Sequence, residues 1–205
     1  MSTKERITEE ALTLFAEKGY KGTSVKNIAD AVGIKDASLY NHFKSKQEIF
    51  DSIVTLISKH ISSLSEQLGL PQYDKEKEET SELFKKLDIQ NLKELSKKAF
   101  TFYLTDPYIS KFWKIAHMEQ YQNEQIYSMF RQIFIDNAIS YQTKLFQEMI
   151  DINILKKRDA RAAAINFYAP IFLLLTRYSN ETDKMNDALD ILDKQIEEFF
   201  YIYGH

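Results

Sequence analysis

Five glycines and three prolines in 205 residues leave this chain few places to reverse direction, and three of the glycines, Gly19, Gly22 and Gly33, fall within the first 33 positions. Tight turns therefore belong to the N-terminal region, and the remainder of the chain must run in longer helices. A turn-rich β fold needs more Gly and Pro, while 44% hydrophobic and 28% charged residues supply too much core for a disordered chain. The expected fold class is all-α, in one domain or two small ones.

The apolar spacing divides the chain into helices. Residues 4–18 place Ile7, Ala11, Leu14 and Phe15 at helical intervals, and Gly19 stands where a helix closes with positive φ. Ser24 caps a short second helix whose apolar face is Ile28, Ala29 and Val32, and Gly33 ends it. A third helix over 36–43 must start almost at once. Lys44 breaks its pattern before Ser45 and Glu48 open a fourth as a capping box, running on through Ile49, Ile53, Leu56, His60 and Leu64. Pro71 and the charge run Asp74 to Glu79 mark a connector over 69–80. Further helices occupy 91–105, the stretch through Trp113 after the Asp106–Pro107 break, and about 122 to 151. Asp159 caps the next, which lines up Ala160, Ala163, Ala164, Phe167, Ile171, Leu174 and Tyr178; the last lines up Leu189, Leu192, Ile196, Phe199, Phe200 and Tyr203.

Charge is uneven. Residues 1–46 carry eight bases against six acids, so a formal net charge of −3 for the whole leaves −5 on the remainder. The start, with Lys4, Glu5 and Arg6, has no secretory core, and the uncharged stretch between Arg161 and Arg177 is too short and too polar at Asn166 to span a membrane. No Cys is present, which removes disulfides, thiolate zinc sites and a cysteine nucleophile and fits a cytoplasmic protein. His42, His60, His117 and His205 are scattered outside metal-ligand spacings, and no nucleophile elbow, phosphate loop or dinucleotide fingerprint occurs. No catalytic residue, metal or cofactor is expected.

A helix, a Gly turn and a second short helix, braced by a preceding one, make a helix-turn-helix over Ser24 to Phe43. Leu39 and Phe43 are its inward anchors. The opposite face offers Lys35, Asp36, Ser38, Tyr40, Asn41 and His42, hydrogen-bonding groups suited to base edges and phosphates. Phe15, Gly19, Thr23, Ile28, Ala29, Gly33, Leu39, Tyr40, His42, Phe43, Ser45 and Lys46, with the run LYNHFKSK, resemble the N-terminal signature of the TetR family of bacterial transcriptional regulators. The match covers about the first 50 residues.

That resemblance implies a DNA-binding domain over 1–46 and a helical ligand-binding and dimerisation domain over 47–205, acting as a ligand-responsive repressor. Tyr40, His42 and Lys46 match phosphate-clamping positions, and Ser24 and Lys26 flank the second helix similarly. Base readout falls to Lys35, Asp36, Ala37, Ser38 and Asn41, although Lys35 replaces the usual Ser or Thr cap, which turns Asp36 toward capping. Phe102, Trp113, His117, Tyr121, Tyr141, Asn166 and Tyr168 are the candidate pocket residues for a small-molecule inducer. Ala163, Phe167, Ile171, Leu174, Leu189, Leu192, Ile196 and Phe199 are the candidate dimer interface. A two-fold dimer expects a palindromic duplex DNA operator with half-sites roughly 34 Å apart, and the fourth helix as the lever between inducer and DNA. The alternative is a DNA-bound structural or division-linked protein with no inducer.

Overall fold

The computed structural model describes residues 1–70, 89–179 and 181–205. Helix α1 spans Thr3–Gly22, α2 Val25–Val32, α3 Asp36–Tyr40 and α4 Lys46–Gln67. After them come α5 (Ile89–Thr105), α6 (Pro107–Glu119), α7 (Glu124–Arg131), α8 (Asn137–Asp151), α9 (Ala160–Tyr178) and α10 (Met185–Tyr203). The all-α expectation holds. The expected connector is described only as far as Leu70; the rest of it lies outside the described residues.

Local chemistry sets the ends of these elements. Ser2 and Glu5 form a capping box on α1, whose regular path breaks at Gly19 with φ 77° and ψ 161°. Pro107 opens α6 immediately after Thr105 and Asp106, because its fixed φ and missing N–H suit a helix's first position. Asp159 Oδ1 accepts from the Ala162 N–H at 2.7 Å and starts α9. The single helix expected from about 122 to 151 is three pieces, because Gln132–Asp136 winds as a π-helix between α7 and α8. There the Tyr168 hydroxyl donates to the Phe134 carbonyl at 2.5 Å.

The chain forms two compact units, one of Met1–Ser62 with Pro107–Arg131 and one of Ser63–Asp106 with Gln132–His205. The first is larger than a 1–46 domain because α6 packs on α1. Phe15, Tyr20, Phe50 and Phe112 succeed one another at ring separations of 5.1, 5.7 and 6.0 Å. The Tyr108 hydroxyl donates to Glu9 at 3.1 Å and the Lys111 ammonium to Thr13 at 2.9 Å. On α1 the fully buried leucine is Leu12, with Leu14 half-buried.

In the second unit Phe146, Phe167 and Phe199 meet pairwise at 5.0–5.3 Å. Lys93 pairs with Glu197 at 2.5 Å, and Lys97 pairs with Asp193, tying α5 to α10. This packing leaves the residues expected at a dimer surface little exposed in the single chain. Ala163, Phe167, Ile171, Leu174, Leu192, Ile196 and Phe199 are all buried inside the single chain, and Leu189 is half-buried. The most apolar stripe of each helix lies against its own subunit's core, where the loss of water contact is greatest. The outward faces instead carry Ile165 and Leu173 on α9 and Ile191, Tyr201 and Ile202 on α10.

Burial also tunes the interior phenols: it pushes Tyr103 up to about 12 and raises Tyr20, Tyr141 and Tyr168 as well. An unfolded tyrosine ionises near pH 10, so above that the unfolded state alone sheds these protons and stability falls as pH climbs toward 12. In urea titrations across that window, Tyr103→Phe is expected to reduce the slope of the loss.

Candidate nucleic-acid interface

The helix-turn-helix is built from short-range hydrogen bonds. Ser24 Oγ accepts from the Asn27 N–H at 3.1 Å while Asn27 Oδ1 accepts from the Ser24 N–H at 2.9 Å, a capping box made with Asn. Gly33 takes φ 76° and closes α2, its N–H donating to carbonyls of the last turn. The Arg6 guanidinium donates to the Val32 carbonyl at 2.7 Å, satisfying a helix-end acceptor from outside. Helix α3 then has only five residues, held by Leu39 and Phe43, which are 0% and 1% exposed. Lys4 lies 4.9 Å from the centroid of the Phe43 ring.

The residues expected to read DNA fall on the outer face of this scaffold. Lys26 on α2 and Lys35, Asp36, Ala37, Tyr40 and Asn41 at α3 are exposed, with Ser38 and His42 half-buried beside them. Tyr40 is 53% exposed, more than a tyrosine retained for packing needs. Lys35 occupies the N-cap of α3 without a side-chain cap bond. Exposed Ser24 serves as the cap of α2. At α4, Ser45 Oγ accepts from the Glu48 N–H at 3.1 Å, and the Glu48 carboxylate reaches back to the Lys44 N–H at 2.7 Å.

Lys46 is more than a surface cation. Its ammonium donates to the carbonyls of Tyr20 at 2.7 Å and Thr23 at 2.9 Å and sits 4.3 Å from the centroid of the Tyr20 ring. Partial burial holds it below the ordinary lysine value, with the negative charge of Glu119 pulling the other way. Two of its three donors are thus engaged, leaving one for an external acceptor. Thr23 is buried, its hydroxyl donating to the carbonyls of Gly19 and Leu14 at 2.9 and 3.2 Å.

The candidate inducer residues divide between the units. In the first, Trp113 is buried and stacks on His117 at 5.3 Å, and His117 Nδ1 lies 2.9 Å from the Trp113 carbonyl. Tyr121 is 92% exposed, so it lines no interior wall. In the second, Phe102 meets Tyr103 edge-on at 6.0 Å, Tyr141 is half-buried and Tyr168 is buried. Asn166 is a surface residue bonded to the Tyr203 hydroxyl at 2.5 Å. Side-chain chemistry alone favours Tyr121 and Asn166 as pocket residues, but Tyr121 lies in the turn between α6 and α7 and helix phase turns Asn166 outward. Among the described residues no three acidic or histidine side chains gather as a metal site, and no helix is long and apolar enough to cross a membrane.

Two contributors escape any reading of spacing. Arg6 bonds 26 residues ahead, and the Tyr20 N–H donates at 2.9 Å to Glu119, 99 residues away. No local signal in the sequence pairs them.

An exposed, hydrogen-bonding short helix held on a glycine turn by a buried Leu and Phe defines a helix-turn-helix protein. Residues 7–53 match the model of the bacterial regulatory proteins of the tetR family, so this N-terminal segment is similar to the DNA-binding domain of that family. It is similar to the biofilm operon icaADBC HTH-type negative transcriptional regulator IcaR of Staphylococcus aureus strain Newman, 44% identical over 61 residues. That match takes in 30% of this chain, which thus spans about a third, 33%, of the relative's length. IcaR of Staphylococcus epidermidis is 51% identical over 47 residues, covering 23% of this chain and 25% of the relative. Among solved structures, a Mesorhizobium loti chain assigned to the TetR family aligns with a TM-score of 0.75 at 18% identity, over 99% of this chain and 97% of that one. The SmeT–triclosan complex of Stenotrophomonas maltophilia aligns with a TM-score of 0.73 at 19% identity, over 100% and 93%. At such identities these two likenesses speak for the fold.

Because Ser24 closes the capping box of α2, Ser24→Ala is expected to cost about 1 kcal/mol of stability, measured by urea denaturation.

Proposed function

We propose that this protein is a transcriptional regulator that binds a palindromic duplex operator as a homodimer and is released by a small molecule. The observation that carries the reading is the outward face of α3: Lys35, Asp36, Ala37, Tyr40 and Asn41 are exposed together on a helix too short to exist except as a presented surface. In the major groove Lys35 suits guanine, Asn41 adenine and the Ala37 methyl a thymine methyl, with Asp36 and Ser38 beside them. Tyr40, His42, Ser24, Lys26 and the remaining donor of Lys46 suit phosphates. Repression is supported by the match to IcaR, a negative regulator. Ligand response is supported by the likeness to SmeT, solved with triclosan. The working place of such a protein is the cytoplasm.

The dimer in this reading uses the outward apolar side chains of α9 and α10 rather than the buried ones. Leu173 is 66% exposed and lies two turns along α9 from exposed Ile165, with Ile191, Tyr201 and Ile202 on α10. A second copy presenting the same stripe is the self-complementary partner that two-fold symmetry requires. Leu173→Glu is expected to convert a dimer to a monomer in sedimentation analysis while leaving the melting of the single chain nearly unchanged, since it removes no core contact.

Selection of duplexes from a random library at two salt concentrations tests the function directly. An enriched inverted repeat with half-site centres about one helical turn apart supports it, and no enrichment at either salt overturns it. On the enriched duplex, Lys46→Ala is expected to weaken all sequences alike and lower the salt slope by about one per subunit, whereas Asn41→Ala is expected to change sequence preference.

A further inference from the structure

A buried carboxylate stands at the α1–α2 junction without a role in DNA contact. Glu119 ends α6 and is 5% exposed. Its Oε1 accepts from the Tyr20 N–H at 2.9 Å, while Oε2 is buried with no hydrogen-bond partner among the described residues. Burying a carboxylate with one oxygen unmet is costly, and an apolar side chain packs such a place better if packing is all that is needed. Glu119 must therefore contribute something that packing does not.

The backbone shows what it contributes. At Gly19, φ 77° and ψ 161° break the helix, so the Tyr20 N–H loses its place in the α1 ladder and needs another acceptor. Glu119 supplies it from α6. A Cβ on residue 19 would lie 3.1 Å from Glu119 Oε1, so glycine both permits the φ and admits the carboxylate. The far side of the same residue is fixed in turn, because the Tyr20 carbonyl accepts from Lys46 at the start of α4. Lys46 also holds the Thr23 carbonyl, one residue before the cap of α2. One polar chain thus runs from Glu119 through Tyr20 to Lys46 and the first turn of the helix-turn-helix.

We propose that Glu119 is a positioning residue for DNA binding: it never meets the duplex, yet it orients the Tyr20 peptide and, through it, the Lys46 ammonium and the start of α2. This rests on the DNA-binding reading above. The two properties of the carboxylate act in opposite directions. Its oxygen orders the clamp, whereas its charge opposes phosphates nearby. Substitution separates them, because Glu119→Gln keeps an acceptor at full reach without the charge and Glu119→Asp keeps the charge but withdraws the acceptor by one methylene.

The test uses the full chain and the duplex enriched by the wild type, with binding measured at two salt concentrations well below each variant's melting temperature. Exchange of the Tyr20 amide proton is monitored by NMR alongside. Glu119→Asp is expected to weaken binding about tenfold, on enriched and random duplexes alike, and to speed Tyr20 exchange. Glu119→Gln is expected to keep slow Tyr20 exchange and to bind within about twofold of wild type or more tightly at low salt. A purely structural role lowers melting temperature without moving affinity, so wild-type affinity in Glu119→Asp overturns the proposal. A Glu119→Gln variant that keeps slow Tyr20 exchange yet binds as weakly as Glu119→Asp overturns it too, since a satisfied Tyr20 amide would then not hold the clamp. Failure of the DNA-binding reading is recognised separately, by a wild type that enriches no duplex.

Discussion

A five-residue helix has no stability of its own: nucleating it fixes several residues for one or two hydrogen bonds. Its existence depends on burying Leu39 and Phe43, and most of the first unit supports that burial. Lys4 of α1 lies over the Phe43 ring, Arg6 completes the end of α2, and the turn at Gly33 sets the direction in which α3 leaves. The same constraint explains the chemistry of the outer face. With the anchoring given to two side chains, Lys35, Asp36, Ala37, Tyr40 and Asn41 are released from structural duty and available to a ligand as long and polar as a duplex.

Local physics was legible in the sequence, and distant pairing was not. Ser24, Gly33, Ser45 and Asp159 could be placed because caps and positive-φ turns are decided within four residues. The apolar periods found α9 and α10 for the same reason. The hidden features depend on partners far along the chain. The π turn over Gln132–Asp136 carries no glycine or proline to announce it, and it stands where Tyr168 takes a carbonyl from 34 residues away. Glu119 looks like an ordinary polar end to an amphipathic helix until α1 is laid beside it.

The faces of α9 show why apolar pattern alone misassigns a surface. A helix with two apolar stripes serves two neighbours, and the richer stripe, with Ala163, Phe167, Ile171 and Leu174, lies inward. The poorer one, Ile165 and Leu173, is spaced among polar residues and passes as background in a sequence, although its exposure is what makes it informative. Pocket residues suffer likewise. Tyr121 and Asn166 have the right chemistry, but one lies in an exposed turn and helix phase turns the other to solvent.

The chain passes between its two units three times, after Ser62, Asp106 and Arg131. The helix-turn-helix is therefore not portable as an N-terminal fragment. A segment cut after α4 leaves behind Phe112, which packs on Phe50, and the carboxylate that meets Tyr20. Contacts spanning about a hundred residues also raise the contact order of the unit, so its formation waits on a long loop closing rather than on the early N-terminal helices. Recombination that moves this helix-turn-helix into another chain is then expected to succeed when residues 107–131 travel with it, or when the recipient already supplies their equivalent.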